Sequence, residues 1–158
     1  MKNLKSFIFE KILINKNTKI INRIDLSGKK LSWITESLFK VFTPTEFKTC
    51  YKKFKKYKDE NKNIKSLFSR NIQPQKLGVK LYCAVILQWD EMIKIIHDIM
   101  IERFELKDEH QLELFFINRL NANDDVLKFF IDIHDLNMTI DELRDCFRHY
   151  LDLYNIKY

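Results

Sequence analysis

Glycine and proline are nearly missing from this chain, with two of each in 158 residues. Turn-rich sandwiches and barrels need such residues at many connections. Their scarcity argues against those folds and favours long helices. Long apolar runs are missing as well. The longest, Leu81–Leu87, falls far short of the roughly 20 residues that a bilayer-spanning helix needs. The three cysteines (Cys50, Cys83 and Cys146) are odd in number, far apart and without a Cys-x-x-Cys spacing. A disulfide scaffold is therefore not expected, and a reducing, intracellular setting is. Neither Gly-x-x-x-x-Gly-Lys-[Ser/Thr] nor Gly-x-Gly-x-x-Gly occurs, so no glycine-rich loop offers to cradle a phosphate. The opening MKNLKSFIFEKILINK is broken by Glu10 and Lys11 and lacks a small-residue cleavage site, so it does not read as a signal peptide. The expectation is a soluble cytoplasmic protein with no membrane partner.

What remains is apolar and aromatic. Hydrophobic residues make up 46% of the chain and aromatics 13%, with 13 Phe. That is too much apolar surface for a disordered chain, and the length suits one domain, 1–158, around one core. Charge is divided unevenly. Residues 1–80 hold 20 Lys+Arg against 6 Asp+Glu, and residues 81–158 hold 8 against 16, giving +14 and −8 within a net +6. A basic subregion (1–77) and an acidic helical subregion (78–158) follow. Such asymmetry suggests a polyanionic or acidic partner for the first half, or attraction between the halves within the fold.

The elements read as helices. Residues 4–26 fit either a helical stripe (Leu4, Phe7, Ile8) or a short β-hairpin, KILI–NKNT–KIIN, because period alone does not separate short apolar runs. Leu31, Ile34, Leu38 and Val41 give helical spacing over 31–42. Thr43-Pro44-Thr45-Glu46 joins a capping box to a first-turn proline and starts a helix running to about Asn61. A short helix is expected at Asn63–Ser69, then a loop at Asn71–Gly78. From there KLYCAVILQWDEMIKIIHDIMIERFEL reads as one long central helix, about 79–104. Its first turns are apolar all round and should be buried. Asp108 with Gln111, Asn123 with Asp124 and Asp125, and the capping box Thr139–Glu142 open three more helices. The last carries Ile140, Leu143, Phe147, Tyr150, Leu151 and Tyr154 at three/four spacing. The expected fold is all-α, a compact bundle of six or seven helices around the 79–104 helix.

The stretch YKKFKKYKDENK, residues 51–62, interleaves lysines and aromatics. A helical wheel separates them. Phe47, Cys50, Tyr51, Phe54 and Tyr57 fall within an arc of about 120°, and Lys48, Lys52, Lys53, Lys55 and Lys56 occupy the remainder. The aromatics are thus expected in the core rather than as base-stacking platforms. Lys62, Lys65 and Arg70 extend the basic run. Lysines without exposed aromatics suit the phosphate backbone and not base readout. In the acidic half, Asp124, Asp125, Asp132, Asp135, Asp141 and Glu142 surround two helix starts. They read as helix-capping acids or as a docking surface for a basic protein.

Two His-Asp dipeptides suggest different chemistry. The order His97, His134, Asp135, Asp145 would fit the ligand order of HD-type metal phosphohydrolases, whose ligands hold a divalent ion and activate water, without amounting to a resemblance to that family. The glycines that usually shape such a site are missing around both pairs. Asp98 shares a polar face with Glu91, Lys94 and Glu102, as surface charge does. Cys83 reads as an inert packer, and Cys50 and Cys146 lie on or beside apolar stripes.

The leading expectation is a non-enzymatic helical accessory protein. Its lysine face would contact a nucleic-acid backbone, and its acidic half a protein partner. The alternative is a protein-interaction module, an inhibitor or adaptor, that binds an acidic or basic protein and no nucleic acid. An HD-like metal phosphohydrolase is the third reading. No cofactor is implied.

Overall fold

A computed structural model of the chain describes residues 42–68, 74–104 and 110–158. The choice between helix and hairpin for residues 4–26, and the helix expected over 31–42, lie outside the described residues, apart from Phe42. Six α-helices are described: α1 (Pro44–Asp59), α2 (Pro74–Ile86), α3 (Asp90–Phe104), α4 (His110–Leu120), α5 (Asp124–Ile133) and α6 (Ile140–Leu153). The helix expected at Asn63–Ser69 is a single 3-10 turn, Ile64–Leu67. No strand occurs among the described residues, and the architecture is all-α.

The expected 79–104 helix is two helices. The chain turns at Leu87–Trp89. Gln88 adopts φ 50, its N–H donates to the Val85 carbonyl, and the Trp89 N–H donates to the Ala84 carbonyl, both at 3.0 Å. These two bonds are the double closure of a Schellman cap, in which the residue after the C-cap takes the left-handed conformation. Trp89 then buries its indole edge-on against Phe54, ring centroids 5.9 Å apart. Its carbonyl accepts the Ile93 N–H at 2.9 Å and so opens α3. Asp90 and Glu91 sit in the first turn of α3, where acids complement the helix dipole.

The same device ends three more helices. Asn61, Asp135 and Asn155 have φ 50, 52 and 54, and the paired bonds recur around each. A chain with two glycines thus makes its sharp helix ends with Asn, Asp and Gln. For a non-glycine residue this conformation costs roughly 1 kcal/mol. Gln88→Gly is therefore expected to raise the melting temperature by a few degrees. Within an unbroken helix the same change would cost about 1 kcal/mol, so thermal melting gives the sign that tells a break from a continuous helix.

Helix α2 also begins earlier than expected, inside the presumed Asn71–Gly78 loop. Pro74 is its first residue, a position where the missing N–H costs nothing. Helix α2 is buried through Leu77, Leu81, Tyr82, Cys83, Ala84, Val85 and Ile86. It packs on α1, α3 and α6, and α6 in turn packs on α4 and α5. Tyr82 lies at the centre. Its ring meets those of Phe47, Phe115, Phe116, Phe130 and Phe147 at 5.1 to 6.3 Å, and burial pushes its phenol up to about 12.

The capping signals act in full at Thr139 and in part at Thr43; Asn123 caps α5 without a side-chain hydrogen bond, and Asp108 lies outside the described residues. Thr139 and Glu142 bond reciprocally at 3.1 Å. Thr43 accepts the Glu46 N–H at 3.1 Å, but the Glu46 carboxylate lies 3.8 Å from Lys76 Nζ on α2. At the other end of the bundle Arg144 joins three elements. It donates to the Leu120 and Ala122 carbonyls at 3.4 and 2.9 Å and to Asp124 Oδ1 at 2.6 Å. It thereby satisfies the end of α4 and holds the start of α5 against α6.

Candidate nucleic-acid interface

Helix α1 carries the lysines, and its apolar side decides how they are presented. Phe47 and Phe54 are fully buried, while Cys50, Tyr51 and Tyr57 pack partly buried against the same core. Fixing this stripe against α2 fixes the rotation of α1 about its axis. The opposite side, with Lys48, Lys52, Lys53, Lys55, Lys56 and Lys58, is exposed. The residues that alternate in sequence separate in space, as a 3.6-residue period requires.

The described contacts sort these lysines into two groups. One is held by neighbours. Lys48 Nζ lies 2.8 Å from Asp135 Oδ2, and that hydrogen bond and charge lower the Asp135 carboxyl from its ordinary value. Lys58 Nζ donates to the Leu87 carbonyl at the end of α2, at 3.0 Å. Lys62 pairs with Glu60 at 3.1 Å and lies over the Tyr57 ring. The other group is Lys52, Lys53, Lys55 and Lys56. Among the described residues none of these four makes an ion pair or side-chain hydrogen bond. They span one turn, about 6 Å along the axis, and share one broad arc of the helix. Arg70 lies outside the described residues, and Lys65 belongs to the 3-10 turn.

The acidic residues are placed largely within their own half. Asp124 is tied to Arg144 at 2.6 Å and Asp132 to Lys128 at 3.1 Å. Glu142 serves the capping box, and Asp141 is exposed in the first turn of α6. Asp125 is exposed in the first turn of α5. Among the described acids Asp135 alone pairs with a lysine of α1. The attraction between halves that the charge division allows is therefore one described bridge, and it leaves the four-lysine group uncovered by described residues. Sequence reasoning did not single out Arg144. Nor did it link Asp90 with His149, which bond at 2.5 Å and tie the start of α3 to α6.

The His-Asp candidates do not converge. His97 is buried, with Nε2 3.0 Å from the Tyr150 hydroxyl and its ring stacked on Tyr154. His134 is buried beside Phe47 and Phe130, with Nδ1 donating to the Phe130 carbonyl at 2.8 Å. Asp135 points to Lys48, and Asp145 accepts from Arg148 at 2.7 Å. No group of three His, Cys, Asp or Glu side chains that could hold a metal ion occurs among the described residues.

His97 instead gives the fold a pH dependence. Burial lowers it to about 4, and nearby Asp98 offsets that in part. The unfolded chain protonates the imidazole near pH 6.5 and the folded chain only near 4. Stability is therefore complete above about pH 6.5 and falls as the pH drops toward 4, by about 3 kcal/mol. Urea unfolding between pH 4 and 7 is expected to show this slope, and His97→Phe is expected to flatten it. Equal slopes for both proteins would remove His97 as its source.

Comparison with known proteins returned no matching family model, no matching curated protein and no matching solved structure. No described helix is long and apolar enough to cross a membrane.

Proposed function

We propose that this protein is a non-enzymatic helical accessory protein that binds a nucleic-acid backbone through α1, while its acidic half docks a protein partner. The observation that carries the reading is the state of Lys52, Lys53, Lys55 and Lys56, which are exposed and unpaired among the described residues. Their neighbours Lys48, Lys58 and Lys62 are engaged. Four like charges within one turn repel one another and cost the helix some stability. A polyanion relieves that repulsion. Lysine offers phosphate a point charge without base discrimination, and the buried aromatics leave no described stacking platform on this face. Binding is therefore expected to be blind to sequence and sensitive to salt.

The test is fluorescence anisotropy with labelled DNA and RNA across a salt series. Neutralising about four phosphates predicts a log–log slope near −3.6, so affinity falls roughly 150-fold between 50 and 200 mM salt. No binding to either nucleic acid at 50 mM salt would defeat the proposal. It would then leave an acidic protein surface as the partner for α1, to be sought by pull-down.

A further inference from the structure

The interface that seats the lysine helix contains a thiol pair. Cys50 projects from α1 and Cys83 from α2, in helices that pack on each other. Both are free thiols, Cys83 fully buried and Cys50 at the edge of the interface. The Cys83 Sγ lies 3.9 Å from the Phe47 carbonyl of α1, three residues and one helical turn before Cys50, so the two thiols share one patch of the α1–α2 contact. The third cysteine sits elsewhere, with its Sγ donating to the Ile86 carbonyl at 3.2 Å.

The surroundings of the pair are unequal. The neighbouring Cys83 thiol, with the charges of Lys80 and Lys53, lowers the Cys50 thiol from its ordinary value against the opposing effect of burial. Burial pushes the Cys83 thiol up. A partly accessible thiol in an electropositive setting is the more reactive kind, and a buried thiol beside it is placed to resolve the product.

We infer that Cys50 and Cys83 form a peroxide-sensitive dithiol that closes to a disulfide and locks α1 onto α2. The oxidant is hydrogen peroxide. The Cys50 thiolate attacks one peroxide oxygen, the O–O bond breaks, and the departing hydroxide takes a proton to become water. Cys50 is then a sulfenic acid. The Cys83 sulfur attacks the Cys50 sulfur, the S–S bond forms and the S–O bond breaks. The leaving hydroxide takes the Cys83 proton as a second water. Each sulfur is oxidised by one electron, and the peroxide is reduced by two. The inference stands independently of what α1 binds.

The test treats the reduced full-length chain with hydrogen peroxide under native conditions, alkylates remaining thiols, and maps peptides by mass spectrometry. The expected result is a peptide pair joined through Cys50 and Cys83, with Cys146 alkylated, and reversal by dithiothreitol. In Cys83→Ser, dimedone is expected to trap Cys50 as the sulfenic acid. Two outcomes in the unsubstituted chain overturn the inference. One is recovery of Cys50 and Cys83 as alkylated thiols. The other is progression of Cys50 to sulfinic acid with no cross-link. Neither outcome depends on a variant folding.

Discussion

Charge reversal of Lys52, Lys53, Lys55 and Lys56 to Glu is expected to abolish nucleic-acid binding while leaving the fold in place. With four phosphate contacts, counterion release contributes nearly five orders of magnitude to affinity at 50 mM salt relative to 1 M. The substituted protein loses that contribution and adds repulsion from four carboxylates. The fold should change far less. All four side chains are exposed and have no described partner to lose, and Glu matches Lys in helix propensity. The cost lies at the end of α1, where carboxylates near Asp59 and the helix C-terminus are unfavourable by a few tenths of a kcal/mol each. The sum should stay below about 2 kcal/mol. Anisotropy measures the first effect and thermal melting the second. Retained binding by a folded quadruple variant would move the interface away from α1. Reversing Lys48 and Lys58 instead is a weaker probe, because they are tied to Asp135 and the Leu87 carbonyl. Their loss mixes binding with stability.

How much of this was legible in the sequence depended on the range of the interaction concerned. Local signals transferred well. Thr139 and Glu142 announce α6 because both limbs of their box are closed within four residues. The burial of Phe47 and Phe54 follows from a helical period that needs only the local backbone. The break at Gln88 was harder to read because it uses no glycine or proline. Its trace was indirect: an all-round apolar segment gives way to an amphipathic one there, and Asp90 and Glu91 follow immediately. What closes the turn is the burial of Trp89 against Phe54 on α1, and no window around Gln88 contains that contact. The sorting of lysines was hidden for the same reason. Lys48 and Lys52 sit one turn apart on one face, yet only Lys48 reaches an acid, because Asp135 lies beside it in the fold and 87 positions away in sequence. The Cys50–Cys83 pairing joins positions on two different helices. Spacing rules for cysteine motifs do not detect a pair made by helix packing.

Phe47→Ala should produce the largest loss of stability of any single substitution in α1. The side chain is completely buried. Its ring lies 4.4 Å from that of His134, 5.5 Å from Phe130, 5.8 Å from Tyr51 and 6.3 Å from Tyr82. These rings belong to α5 and its cap, α1 and α2, so one truncation opens a cavity where several elements meet. Removing a buried phenyl ring costs about 3–5 kcal/mol, the higher part of the range applying where the walls are too well supported to collapse. Here edge-to-face contacts with Tyr82 and Phe130 are lost as well. Against a typical total of 5–15 kcal/mol, the loss should lower the urea midpoint markedly, and Lys52→Ala on the opposite face should change stability by less than about 0.5 kcal/mol. The contrast tests the rotation of α1. A helix turned to present aromatics to a ligand would reverse the ranking, with Phe47→Ala mild for stability and severe for nucleic-acid binding. A stability loss confined to Phe47, together with a binding loss confined to the lysines, would require the two faces of α1 to carry separate tasks: one seats the helix and the other meets the partner.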